Sequence, residues 1–200
     1  MSDGPRIAII GNSGSGKSTL ARRIAARLGI AHIELDAINW QAGWRDLAVH
    51  EPELFRARIE EAASAERWVA DGNYTRFARE PILGRASDLV WLDLPRALIM
   101  RRVITRSFVR ALTKQELWPG TGNKELFVRW LSKEHPIRWS WDTYRPAKAA
   151  RESLFDELAG GPIRLHRLRT AREADALVER LAQEAGQRNA GEETPPALAR

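Results

Sequence analysis

Cysteine is absent from the 200-residue chain, which excludes a disulfide framework and a thiolate metal site. Histidine is scarce: His32, His50, His135 and His166 show no metal-ligand spacing, so structural or surface roles are expected for all four. No apolar run approaches the ~20 residues of a membrane span. Met1 to Pro5 is polar, and the apolar run Ile7 to Ile10 is too short for a secretory leader. A cytoplasmic chain is the expectation. No internal repeat is visible.

Acid is missing from one segment in particular. Between Leu94 and Gln115 stand Arg96, Arg101, Arg102, Arg106, Arg110 and Lys114 with no Asp or Glu. The whole chain carries +6, so this segment accounts for the excess and the rest is neutral. Charge focused in this way suits a compact polyanion such as a triphosphate. A nucleic-acid surface spreads its basic residues over a longer footprint. A solvated helix face is the plainer alternative.

What is present is a core-forming composition. Hydrophobic residues make up 44% and charged residues 29%, as in one ordinary globular domain. That domain is expected over residues 1–185. From Gly186 the chain is small, polar and proline-containing, and residues 186–200 read as a disordered tail.

The densest signal is Gly11-Asn12-Ser13-Gly14-Ser15-Gly16-Lys17-Ser18-Thr19, which fits the phosphate-binding pattern G-x-x-x-x-G-K-[ST]. Its context agrees. Arg6 to Ile10 is a short β-branched run, and Leu20, Ile24 and Leu28 fall at helical spacing before Gly29. Glycines let the backbone bring N–H groups close to phosphate oxygens, and the positive helix end faces the same oxygens. Lys17 supplies a mobile charge for the β- and γ-phosphates, and Ser18 offers a hydroxyl to Mg²⁺. ATP, or another nucleoside triphosphate, with Mg²⁺ is the ligand this loop predicts.

Along the chain, residues 32–35 read as a second strand ending at Asp36. Ligands in open α/β sheets sit beyond strand C-termini, so Asp36 is a site candidate. The segment Ile38 to Arg45 reads as a loop in which Trp40 and Trp44 either wall an acceptor pocket or cap the core. Glu51 to Ala65 is an amphipathic helix with Pro52 in its first turn. Residues 67–70 form a third strand ending at Asp71, where a carboxylate can hold Mg²⁺ through water. Ser87 to Leu92 is a fourth strand, and Pro95 opens a helix reaching about Leu112. On it Arg102, Arg106 and Arg110 form one stripe by their spacing of four. Thr113 to Lys124 reads as a mobile loop. A second helical region runs from Glu125 to about Leu158, broken or kinked at Pro136 and Pro146, and carries Arg129 and Trp130. A fifth strand at 163–168 and a helix from Ala171 to Ala185 complete the domain.

With these landmarks placed, the chain resembles the nucleoside-monophosphate-kinase-like P-loop proteins, relatives of adenylate and shikimate kinases. The matching residues are Gly11 to Thr19, Trp68 to Gly72, Leu92 to Arg96, and the arginine-rich flank. Within that group it looks most like the small proteins labelled DNA topology modulation proteins, through Leu35-Asp36, Trp40, Gly43-Trp44 and Asp71 to Tyr74. The resemblance spans about residues 6–183. It implies a P-loop NTPase fold: a three-layer α/β/α domain with a five-stranded parallel sheet and a helical lid at about 106–145. It implies that Arg102, Arg106 and Arg110 face the transferred phosphoryl group. It also places Asp36 where shikimate-kinase-like enzymes hold a hydroxyl acceptor. Adenylate kinases carry Asp-Gly-Phe-Pro-Arg where this chain has Asp71-Gly72-Asn73-Tyr74-Thr75-Arg76, so a standard AMP site is not expected.

The leading expectation is an ATP-dependent phosphotransferase acting on a nucleotide or small hydroxyl acceptor. In it Lys17, Asp36 and the three arginines are catalytic, and Ser18 and Asp71 hold Mg²⁺. Asp36, Trp40, Trp44, Arg45, Asn73, Tyr74 and Arg76 contact the acceptor. The alternatives are a regulatory ATPase associated with DNA and a nucleotide sensor without turnover. No membrane partner is expected.

Overall fold

The computed structural model describes residues 4–125 and 135–192. Strand β1 (Arg6–Gly11) lies at the centre of a five-stranded sheet. Beside it runs β5 (Trp68–Asp71), and β2 (Ala31–Glu34) forms that edge. On the other side come β6 (Asp88–Leu92) and the opposite edge β7 (Arg164–Leu168). Every pairing in this sheet is parallel. Helix α1 (Lys17–Leu28) leads the chain from β1 past β5 to β2, while β6 and β7 lie the other way. A crevice therefore opens at the C-terminal end of β1, where open α/β sheets bind ligands.

Both faces of the sheet are covered, so its central strands are apolar throughout rather than alternating. Ile7 and Ile9 point to one core, with Leu20 and Ile24 of α1 and Leu177, Val178 and Leu181 of α8 (Ala171–Glu192). Ala8 and Ile10 point to the other, with Phe55, Ile59, Trp68 and Trp91. Burying a side chain of Phe or Ile size contributes roughly 1.5–3 kcal/mol. The three-layer P-loop fold expected from the sequence is the fold observed.

Several local expectations are corrected. Strand β2 ends at Glu34, and Asp36 sits in the first turn of a short helix, α2 (Leu35–Asn39). The segment expected as a loop instead forms a small antiparallel hairpin, β3 (Trp40–Gln41) and β4 (Arg45–Asp46). Its turn places Gly43 at φ 70° and Trp44 at φ 63°, a left-handed reversal that local pattern does not announce. Asp46 then caps α3 (Leu47–His50), accepting from the Val49 N–H at 3.2 Å, and α4 (Pro52–Ala62) follows with Pro52 in its first turn. A one-turn α5 (Thr75–Ala78) follows β5.

Helix α6 (Arg96–Thr113) begins one residue after Pro95, which serves as its N-cap. Helix α7 (Pro136–Leu158) starts at Pro136 and runs through Pro146 without ending. The expected helical stretch over 126–134, with Arg129 and Trp130, lies outside the described residues. Helix α8 continues to Glu192, seven residues beyond the expected end, so residues 186–192 are helical rather than tail. Gly186 and Gly191 cost only about 1 kcal/mol each in a helix, and no proline follows before Pro195 to stop it. Residues 193–200 lie outside the described residues.

Candidate active site

The loop from Gly11 to Gly16 wraps the N-terminus of α1, and its shape depends on glycine at two positions. Gly16 is the N-cap at φ 98°, and Gly14 stands at φ 82°, with Val103 of α6 where a Cβ would go. Such backbone is costly for any residue with a Cβ. Ser15 N–H closes the turn on Asn12 O at 3.0 Å. Lys17 is only 9% exposed and reaches back to Asn12 O at 3.3 Å. Burial lowers its pKa, while Asp36 and Asp71 push it back up. Asn12 Nδ2, Ser15 Oγ and Arg106 Nε are buried without a hydrogen-bond partner. Unpaired buried donors around a turn of N–H groups fit an anionic ligand.

Ser18 Oγ donates to Asp71 Oδ2 at 2.7 Å, and the other Asp71 oxygen meets His32 Nε2 at 2.7 Å. Asp71 is 2% exposed at the end of β5. A hydroxyl and a carboxylate oxygen are the hard ligands Mg²⁺ takes alongside phosphates and water. Among the described residues no cluster of three His, Cys, Asp or Glu could hold a metal, so protein groups alone make no cage. The pair fits a cation held jointly with a nucleotide.

From α6, Arg102 donates to Ser15 O at 3.1 Å and Arg106 to Ser13 Oγ at 3.2 Å. Burial, then the neighbouring Arg110, lowers the Arg106 pKa, and Glu125 and Asp36 oppose that shift. Arg110 pairs with buried Glu125 at 3.6 Å, which also accepts from Ser107 Oγ at 2.6 Å. The expected arginine stripe thus brings two members to the loop, with the third turned to an acid. Between Gly14, Gly16, Thr19, Leu94, Arg102 and Thr170 a cavity of about 330 Å³ opens beside the loop.

The acceptor-side candidates divide. Asp36 comes to the mouth of the loop, close enough to Lys17 and Arg106 to bias both. Tyr74 donates to Asp36 Oδ1 at 2.8 Å. Asn73 Oδ1 accepts from Gly11 N–H at 3.4 Å. Trp40 and Trp44 meet edge to face at 5.8 Å between ring centroids, half-buried. Arg45 and Arg76 are not brought in: Arg45 pairs with Glu51 at 2.8 Å, and Arg76 lies exposed over the Phe77 ring.

Sequence reasoning missed four participants. Arg151, from α7 and 9% exposed, bonds Asn12 Oδ1 and reaches Asn73 Oδ1 at 3.3 Å. Burial lowers its pKa to about 10, against the pull of Asp93, so it stays charged at neutral pH. Trp118 stacks on Trp40 with centroids 6.4 Å apart and lies close enough to Glu34 to oppose the rise in its pKa. Glu34 has its pKa raised by burial and by Asp71. Asn123 clamps the hairpin, accepting from Trp44 N–H and donating to Gln41 O, each at 2.9 Å. The loop at 114–124 therefore folds back, with a bridge between Glu116 and Lys124, onto the acceptor side. Its Pro and Gly content signalled only a turn.

Sheet order, glycine loop and strand-end acid together define a P-loop nucleotide-binding fold. Solved structures agree. A shikimate kinase from Bacteroides thetaiotaomicron matches with a TM-score of 0.57 and 18% identity, covering 91% of this chain and 98% of that one. A shikimate kinase from Acinetobacter baumannii, in complex with shikimate, gives 0.51 and 20%, covering 96% of each. At these identities the likeness is one of fold. A stretch of 41 residues is 54% identical to part of a bifunctional pantoate ligase/cytidylate kinase from Gloeobacter violaceus. That stretch is 20% of this chain, and the match spans only 8% of that relative's length. No family model matches the chain.

Proposed function

We propose that the protein is an ATP-dependent kinase that moves the γ-phosphoryl group to a small hydroxyl acceptor. The observation that carries this reading is Asp36 at the mouth of the phosphate loop, within electrostatic reach of Lys17 and Arg106. A nucleotide sensor without turnover has no need of a carboxylate there. The inward set of Arg102 and Arg106 supports a phosphate role for α6 over a DNA-binding one.

The loop N–H groups and Lys17 hold the triphosphate, with Ser18 and Asp71 as ligands for Mg²⁺. When bound, the metal neutralises charge on the β- and γ-phosphates. Asp36 takes the proton of the acceptor hydroxyl as its oxygen bonds to γ-phosphorus. The bond from γ-phosphorus to the bridging oxygen breaks, ADP leaves with that electron pair, and the proton passes on to solvent. Arg102 and Arg106 stabilise the charge on the phosphoryl group in flight, and Arg110 joins them when the segment about 106–145 moves as a lid. Asn73, Trp40 and Trp44 border the acceptor. ATP is the expected donor and the cytoplasm the expected location.

The test is transfer from γ-labelled ATP with Mg²⁺ across nucleoside monophosphates, nucleosides and small hydroxylated metabolites, shikimate and gluconate included, with a lane lacking acceptor. Label on one acceptor supports the reading. Label only as free phosphate, in every lane, overturns it in favour of an ATPase. Lys17→Ala abolishes transfer, and Asp36→Asn loses transfer while keeping ATP binding.

A further inference from the structure

Tyr74 is half-buried against Asp36. Its ring packs edge to face on the fully buried Phe55, centroids 5.0 Å apart. Its hydroxyl donates a hydrogen bond to Asp36 Oδ1 at 2.8 Å. Asn39, 0% exposed, is fixed by its own Oδ1, which accepts from Ala48 N–H at 2.9 Å. That bond turns the Asn39 amide nitrogen toward the phenol, near it but outside full hydrogen-bond geometry. The tyrosine is thus held by packing on one side and by a fixed amide dipole on the other.

We propose that Tyr74 is a positioning residue: it locks the Asp36 carboxylate through Oδ1, so that Oδ2 alone faces the acceptor hydroxyl. The inference rests on the reading of Asp36 as the base, and it assigns Tyr74 a role through Asp36 rather than on the acceptor. A carboxylate at the start of a five-residue helix has little else to fix its rotation. One strong donor on one oxygen removes that freedom, because a hydrogen bond to a charged group is among the stronger ones in proteins. Burial, then the charge of Asp36 and the bond to it, with Asp46 adding to both, raises the phenol pKa far above its ordinary value. The phenol therefore remains a donor at every working pH. Proton transfer from the acceptor is left to Oδ2, and Tyr74 neither gains nor loses a proton in the cycle.

Two measurements test this, on the full chain. The first needs no acceptor. The protein has two tyrosines, Tyr74 and Tyr144, so ¹³Cζ-tyrosine labelling gives two resonances, assigned with Tyr144→Phe. The Tyr74 resonance is expected to stay in its phenol position through about pH 10, where an ordinary tyrosine is half ionised. In Asp36→Asn its titration moves down toward that ordinary range. An Asp36→Asn spectrum in which the Tyr74 resonance keeps both its native neutral-pH position and its titration means no carboxylate contact and overturns the proposal.

The second is ATP hydrolysis without added acceptor, with water in the acceptor's place, in the native protein, Tyr74→Phe, Asp36→Asn and the double variant. Tyr74→Phe keeps the ring on Phe55, so folding is retained. It is expected to lower kcat about tenfold to a hundredfold, with the KM for ATP unchanged, as for the loss of one hydrogen bond to a charged group. Because Tyr74 acts through Asp36, the double variant matches Asp36→Asn alone. A double variant slower than Asp36→Asn by the full Tyr74→Phe factor shows an independent role and refutes the proposal. Asp36→Asn at full native rate refutes the base reading instead, and the tyrosine resonance still reports whether the contact exists.

Discussion

Gly14 is the point where the phosphate loop touches α6, and Gly14→Ala tests whether that contact seats the arginines. Gly14 has φ 82°, and a Cβ on it would stand 2.3 Å from Val103 Cγ2 and 3.2 Å from the Ile99 carbonyl. The left-handed backbone costs alanine about 1 kcal/mol. The overlap with Val103, which is fully buried between Ile99 and Leu94, adds about 2 kcal/mol of overpacking. The sum, about 3 kcal/mol, lowers Tm by roughly 6–12 °C in a chain of this size. Val103→Ala removes the colliding methyl. In that background Gly14→Ala retains only the backbone cost, about 1 kcal/mol, so the two substitutions couple by about 2 kcal/mol. The same overlap pushes α6 off the loop, separating Arg102 from Ser15 O and Arg106 from Ser13 Oγ. Urea denaturation of the four proteins gives the coupling, and ATP titration by tryptophan fluorescence gives the functional half. Equal costs in both backgrounds would refute the collision. Undiminished ATP affinity in Gly14→Ala would show that the contact does not seat the arginines.

Three further perturbations read other parts of the site. Asp71→Asn keeps the shape of a buried side chain but removes the charge beside Ser18. The Mg²⁺ concentration for half-maximal stabilisation by ATP is expected to rise on the order of tenfold, measured by thermal melts across a Mg²⁺ series. Asn123→Ala strands the Trp44 N–H and the Gln41 carbonyl, costs about 1–2 kcal/mol, and speeds exchange of the Trp44 amide in a hydrogen-exchange experiment. Asp88, wholly buried at the far end of the sheet, is pushed up by burial, but hydrogen bonds from His166, Ser87 and Arg164 outweigh this and hold its pKa below the ordinary value. Its contribution is therefore complete above the unfolded carboxylate pKa and lost as pH falls below about 5. Asp88→Asn should be less stable at pH 7 and lose less between pH 7 and pH 3 in urea melts, and an unchanged slope would contradict the pairing.

What was legible in the sequence was what lies contiguous in it. The phosphate loop needs nine adjacent residues, and the strand that leads into it, Arg6 to Ile10, is a short β-branched run. Asp71 could be placed because a strand end is a local feature. Arg151 could not: it meets Asn12 across 139 residues, from the middle of a helix whose prolines suggested only a break. His32 shows no ligand spacing in the sequence, and its partner is Asp71 on the neighbouring strand, a pairing that register creates and composition does not. Arg110 obeys the spacing rule, and its ion-pair partner is Glu125, a pairing that spacing does not announce.

The acceptor side failed for a sharper reason, and Trp44 locates it. A non-glycine residue at φ 63° costs about 1 kcal/mol and persists only where neighbours hold it. Here Asn123 holds it, 79 residues away, by taking the Trp44 N–H. That reversal folds the hairpin, sends Arg45 outward to Glu51 and leaves Trp40 and Trp44 against Trp118. An arginine next to Trp44 reads as an anchor because a loop can turn any side chain inward. Once the backbone at 43–44 is fixed, it cannot. Which side chains face the acceptor is therefore decided jointly by residues 36–46 and 114–124, and neither segment carries that information alone.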